Sequence, residues 1–226
     1  MQIEPVAHIE SGFSEKFGIP RQSRLAPLCR ATIVFEPRFR SPDAVRELEC
    51  FSHIWLIWGF STARWDGNLT VRPPRLGGNT RIGVFASRSP FRPNSLGMSA
   101  VRLESIELSA DRGPLLHVLG ADLLDGTPIY DIKPYIPYAD RIEEAVDGYT
   151  APTKGHRLEV EVSPEAKAGV SAETLAQISD LIGLDPRVAY DSDPDKVWGM
   201  TYGGLNVRFR ISGGSAVILS IEPVQF

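Results

Sequence analysis

The chain has 226 residues, 42% hydrophobic and 23% charged, with 24 Lys+Arg against 28 Asp+Glu for a formal net charge of −4. That balance is ordinary for a globular protein of one or two domains; it excludes a collagenous chain, a long disordered tail, or a membrane span of roughly 20 apolar residues as the main content. Two cysteines, Cys29 and Cys50, cannot form a disulfide framework and are expected to be small core hydrophobes; Glu4 and Glu10 stand where a secretory signal would be basic, so the expected compartment is the cytoplasm.

Strand character recurs early, over 6–10, 28–35, 53–60, 81–86, 98–108, 115–120 and 127–132. The run over 53–60 is apolar throughout, which predicts a strand buried on both faces with Trp55 and Trp58 in the core. In 98–108, alternation puts Val101, Leu103 and Ser105 on one face and Arg102, Glu104 and Ile106 on the other. Ser41 as cap, Pro42 at the first helical position and Asp43 at the positive end predict one short helix over 41–48. Many short strands with Gly/Pro turns predict a barrel or a sandwich. The texture changes at 147–152, a predicted linker. A strand over 157–162 follows, then a helix over 171–182 capped by Ser171, with Leu175, Ile178, Leu181 and Ile182 as its apolar face and Gly183 at its end. Strands over 205–211 and 216–221 flank Ser212-Gly213-Gly214-Ser215, a hairpin loop. The predicted domains are a β-rich unit over 1–150 and a small α+β unit over 151–226.

Charge is segregated. Seven arginines and one acid, Asp66, lie in 64–102, whereas 103–150 holds ten acids and three bases. Arginine grips phosphate or carboxylate with a planar fork, so such a cluster in an acidic protein suits a phosphate-bearing partner, although its members can also pair with the acids of 103–150. No G-x-G pair, no Gly-Lys dipeptide and no G-x-S-x-G elbow is present, and the histidines and cysteines are scattered, so no metal is expected.

Three stiff, polar, Pro/Gly-rich clusters stand out: residues 16–22 (KFGIPRQ), residues 71–94 (VRPPRLGGNTRIGVFASRSPFRPN) and residues 122–135 (DLLDGTPIYDIKPY). These strings resemble the TrmO (TsaA-like) family of tRNA N6-threonylcarbamoyladenosine N6-methyltransferases. So do Asp185-Pro186-Arg187-Val188-Ala189-Tyr190 and Asn206-Val207-Arg208-Phe209 near the C-terminus. The resemblance spans nearly the whole chain. It implies a single-sheeted β-barrel catalytic domain with a small α+β domain assisting tRNA binding, S-adenosylmethionine as cofactor, a homodimer with the cofactor near the subunit interface, and formation of m6t6A at position 37 of the anticodon loop.

The resemblance also implies roles by position. Pro20, Arg21 and Gln22, Phe60 and Ser61, Arg88, Leu96 to Met98, and the loop Asp122, Leu123, Leu124, Asp125, Gly126 match cofactor contacts. Lys133, Pro134 and Tyr135 match a stretch close to the reaction centre, Pro134 on its tRNA side, and Asp185, Arg187 and Tyr190 match the small-domain motif associated with tRNA. Asp131 joins the catalytic set, and Arg92 the tRNA-binding set, on chemistry. One departure is Ser61, where the family commonly has His. It leaves a non-catalytic RNA-binding or S-adenosylmethionine-sensing barrel as the alternative. On chemistry, Arg88 or Arg21 suits the cofactor carboxylate, Asp131 or Asp122 suits a general base, and Arg72, Arg75 and Arg92 suit phosphates or the threonyl carboxylate. Asp131 can equally pair with Lys133, and Tyr135 and Tyr138 are either stacking platforms for an unstacked base or core residues.

Overall fold

The computed structural model describes residues 2–73, 76, 79–187 and 193–224. Six strands close an antiparallel barrel: β1 (Ala7–Ser11), β2 (Arg30–Phe35), β3 (His53–Gly59), β6 (Leu96–Ser109), β7 (Gly113–Leu119) and β8 (Pro128–Pro134), in the order β1-β2-β7-β6-β3-β8. Alternation drives closure, because each strand turns one apolar row inward. Ile9, Ile33, Ile54, Leu56, Val101, Leu116 and Ile129 are wholly buried in one core. A two-stranded ribbon, β4 (Thr70–Val71) with β5 (Ile82–Gly83), sits in the β3–β6 connection.

A second sheet has the order β10-β11-β12-β9, from β9 (Glu159–Val162), β10 (Val197–Tyr202), β11 (Leu205–Ser212) and β12 (Ser215–Pro223). Only β12 and β9 run parallel in it. Beyond the four-residue turns α1 (Pro137–Asp140) and α2 (Pro164–Lys167), the one long helix is α3 (Ala172–Gly183), among the described residues. Ser171 caps α3 by accepting from the Thr174 N–H at 3.1 Å, and α3 buries Ile178, Leu181 and Ile182. The core beneath it also takes in Phe13, Ala26 and Cys29 from the N-terminal part of the chain. The small sheet is therefore joined to the barrel through the 12–29 loop, whose apolar residues it buries.

Several expectations change. Residues 41–48 form no α-helix: Ser41 caps a 3-10 turn, Pro42–Val45, and Glu47 at φ 65° breaks the path before a second turn, Leu48–Cys50. The 81–86 strand shortens to β5 plus a 3-10 turn, Val84–Ala86. Strand β3 is buried on one face: Ile54, Leu56 and Trp58 point inward, while Trp55 lies on the half-buried outer face, its Nε1 donating to Asp140 Oδ2 at 3.0 Å. A register shift between Leu103 and Ser105 on β6 exposes Ser105 and packs Ile106 against the core. Cys29 is buried as expected, but Cys50 is exposed.

Candidate active site

Antiparallel order brings the C-terminal ends of β1, β3 and β7 to one mouth of the barrel. The loops that follow them, 12–29, 60–95 and 120–127, therefore converge there. These loops carry the first two polar clusters and the start of the third.

The mouth is organised by Asp122. Trp58 Nε1 donates to Ser99 Oγ at 3.0 Å, and Ser99 Oγ donates to Asp122 Oδ1 at 2.6 Å. The backbone N–H of Ser23 also donates to this carboxylate, and the Arg88 guanidinium, hydrogen-bonded to Gln22 Oε1, adds its charge. Burial pushes the Asp122 carboxyl above the usual carboxylate range, and the donors and Arg88 offset this only in part. Phe60, whose ring meets Trp58 edge-on at 4.4 Å, lines a neighbouring cavity of about 250 Å³ together with Gly59, Ser61, Leu96 and Tyr130, which the Asp122 cluster itself does not line. Gly59 is required there, since a Cβ would lie 2.7 Å from the Tyr130 ring.

The rest of the 122–126 loop is fastened to β1. Leu123 is buried and its carbonyl accepts from Ser11 Oγ at 2.9 Å; Asp125 Oδ1 accepts from the Ser11 N–H at 2.9 Å; the Leu124 carbonyl accepts from Thr127 Oγ1 at 2.6 Å; and Gly126 turns the chain at φ +72°. Pro20 is buried, and Arg21 faces the small sheet domain, donating through Nη2 to the carbonyls of Asp185 at 3.3 Å and Arg187 at 2.9 Å. Arg187 grips Asp185 bidentately, Nε to Oδ1 at 2.8 Å and Nη2 to Oδ2 at 2.9 Å. Burial raises the Asp185 carboxyl, but this grip outweighs it and holds the group below the usual range. A second cavity of about 220 Å³ lies at this joint, between Lys16–Arg21 and Leu181–Arg187.

Asp131 and Lys133 run down the outer face of β8, paired to each other at 3.0 Å, with Asp131 Oδ1 also accepting from the Ile132 N–H at 3.0 Å. Pro134 stands opposite Ile54. Tyr135 packs against Trp55 and His53, at 5.5 and 6.2 Å between ring centres, while Tyr138 is 91% exposed. Met98 lies on the same outer wall, opposite Ile57. Arg92 folds onto its own loop, Nη1 donating to the Ser87 carbonyl at 3.0 Å. Arg75 and Tyr190 lie outside the described residues. Among the described residues, no ion pair within 4 Å joins an arginine of 64–102 to an acid of 103–150; Arg64, Arg72 and Arg81 are exposed. Sequence reasoning missed Ser99, and Trp58 was expected only as core. The available signal was Ser99's shared parity with Val101 and Leu103, which puts a hydroxyl on an inward row.

A barrel of this kind joined to a small sheet is the architecture of the crystal structure of TrmO from Pseudomonas aeruginosa, at TM-score 0.80 and 33% identity, covering 98% of each chain. The family model for the tRNA-methyltransferase O N-terminal domain matches residues 8–141, and that for the TrmO C-terminal domain matches residues 155–224. The putative S-adenosylmethionine-dependent methyltransferase RcsF of Pseudomonas aeruginosa is 42% identical over 92% of this chain and 91% of its own. The tRNA (adenine(37)-N6)-methyltransferase of Escherichia coli is 35% identical over 98% of both. The chain belongs to the TrmO family.

Proposed function

We propose that this chain transfers the methyl group of S-adenosylmethionine to N6 of threonylcarbamoyladenosine at position 37 in the tRNA anticodon loop, forming m6t6A. The coarser part of this reading follows from the family: the chain is an S-adenosylmethionine-dependent tRNA (adenine-N6)-methyltransferase.

The observation that carries the site is the convergence of Asp122, Ser99, Arg88 and Gln22 at the barrel mouth. The donor set fits the cofactor. A half-buried carboxylate suits its ammonium group or ribose hydroxyls, the Arg88 guanidinium suits its carboxylate, and the lining of Phe60, Leu96 and Tyr130 suits an adenine face. Bound there, S-adenosylmethionine supplies a methyl group on a cationic sulfur. The residues at the mouth hold and align that group, and alignment provides most of the gain in an in-line displacement.

The acylated N6 has a more acidic proton than a plain amine. Asp131, steadied by Lys133 Nζ, is the proposed group that accepts it at a carboxylate oxygen. Tyr138 offers an open ring to an unstacked base, and Tyr135 backs that wall. Arg64, Arg72, Arg81 and Arg92 meet the phosphates, and the closed Asp185–Arg187 pair braces the small-domain side of the tRNA surface without itself gripping a phosphate. In this division residues 1–150 hold the cofactor and 151–226 assist tRNA binding; two copies form a dimer in the cytoplasm. Among the described residues no helix is long and apolar enough to cross a membrane.

Nucleoside mass spectrometry of tRNA incubated with protein and cofactor tests the reading. A new methyl on threonylcarbamoyladenosine is the expected product. Methylation of unmodified adenosine alone, or none, overturns the substrate assignment.

A further inference from the structure

Ser99 and Thr127 are the buried polar side chains of the described residues, 1% and 2% exposed. Thr127 uses its hydroxyl locally, donating to the Leu124 carbonyl three residues back. Ser99 does not tie its own strand. Its hydroxyl bridges Trp58 on β3 to Asp122 in the 120–127 loop.

The direction of that bridge is fixed by chemistry. An indole N–H can only donate, so Ser99 Oγ accepts from Trp58, and an ionised carboxylate can only accept, so the single hydroxyl proton goes to Asp122. The result is a one-way chain, Trp58 to Ser99 to Asp122, that polarises toward the carboxylate. Packing holds the chain in place: a Cβ on Gly97 would lie 2.4 Å from the Trp58 ring, so glycine alone lets the indole lie across the strand start. The other groups facing the Asp122 carboxylate are its own backbone N–H, Arg88 from the 60–95 loop, itself beside Gln22, and the Ser23 N–H from the 12–29 loop.

We infer that Ser99, backed by Trp58, is a positioning residue that aims the Asp122 carboxylate at the cofactor; this rests on the reading above that Asp122 binds S-adenosylmethionine. Ser99 touches no reacting atom. It acts by holding one Asp122 oxygen at 2.6 Å, and by opposing the effect of burial on that carboxylate.

The test is a double-mutant cycle on cofactor affinity, read by calorimetry of the full-length protein with S-adenosylmethionine across pH 5–9. Ser99→Ala should weaken binding about tenfold at pH 7 and move the acid-side midpoint of the affinity profile to higher pH, because a donor to the ionised form is gone. In an Asp122→Asn background the same Ser99→Ala change should cost less than about twofold and leave the profile flat. Ser99→Thr, which keeps the hydroxyl, should restore most of the loss. If the alanine variant does not fold, Ser99→Cys, with similar volume and a weaker donor, goes through the same cycle. A loss that persists undiminished in the Asp122→Asn background overturns the positioning role and leaves the cofactor site standing. Wild-type affinity in Asp122→Asn overturns both.

Discussion

Two aspartates flank the loop at residues 20–23, and burial acts on both, yet they end in opposite states. At the barrel mouth, Asp122 takes hydrogen bonds from Ser99 and the Ser23 N–H and feels Arg88, but among the described residues no arginine fork closes on it, and its carboxyl stays above the usual range. At the domain joint, Asp185 holds Arg187 in two bonds of 2.8 and 2.9 Å and lies below that range. A carboxylate that already grips a guanidinium has little capacity left for a ligand. One that is desolvated and only partly compensated gains most from an incoming cation. The same residue type thus makes a fixed joint in one place and a receptor in the other.

The joint breaks most severely through its apolar weld. Phe13 is buried in the core shared with the small sheet, so Phe13→Ala should cost about 3–5 kcal/mol of unfolding free energy in denaturant titration. An effect under about 1 kcal/mol would mean that the two parts are not coupled in this way.

At the mouth, Asp122→Asn should weaken S-adenosylmethionine binding by about 1.5–3 kcal/mol, roughly tenfold to over a hundredfold, whereas Asp131→Asn should lower turnover and leave cofactor affinity within about twofold. Equal losses of affinity in the two variants would erase the distinction between the mouth and the outer wall.

The two aspartates should also have opposite pH signatures in thermal unfolding. Asp185 is depressed below 3.8 in the fold, so its contribution is full well above that value and fades as the pH falls through its folded pKa; Asp185→Asn should melt lower at pH 7 and converge with wild type in acid. Asp122 is raised above 3.8, so its ionisation burdens the fold above its folded pKa and ceases to do so below 3.8; Asp122→Asn should melt higher at pH 7, again converging in acid. Shifts of the same sign at pH 7 would show that the two sites do not differ electrostatically.

The smallest expected effect belongs to Arg92. Its guanidinium is already bonded to the Ser87 carbonyl, so Arg92→Ala should leave cofactor affinity within about twofold, and any rise in the tRNA Michaelis constant should shrink at high salt. Arg88→Ala, which frees Gln22 and removes the cation facing Asp122, should weaken cofactor binding measurably. A loss confined to the Arg92 variant would reverse the two roles.

What the sequence determined by itself was local. Strand character marked the barrel strands, with period-two alternation plain in 98–108, Ser171 marked the start of α3, and Ser212-Gly213-Gly214-Ser215 marked the β11–β12 hairpin, with Gly213 at φ +58°. The clustered Pro/Gly loops marked where polar chemistry gathers, and their wording identified the family. Tertiary structure decided which of those residues meet. The bonds that build the mouth join residues 23, 41 and 66 positions apart, so they depend on strand register and barrel closure, not on neighbouring sequence. Trp55 and Trp58 look alike in one apolar run. Their three-residue spacing puts them on opposite faces of a strand, and closure makes one face core and leaves the other half-buried. Asp122, Asp131 and Asp185 are likewise indistinguishable as letters. Burial and the distance to the nearest guanidinium separate them, and both are set only when chain segments far apart in sequence pack together.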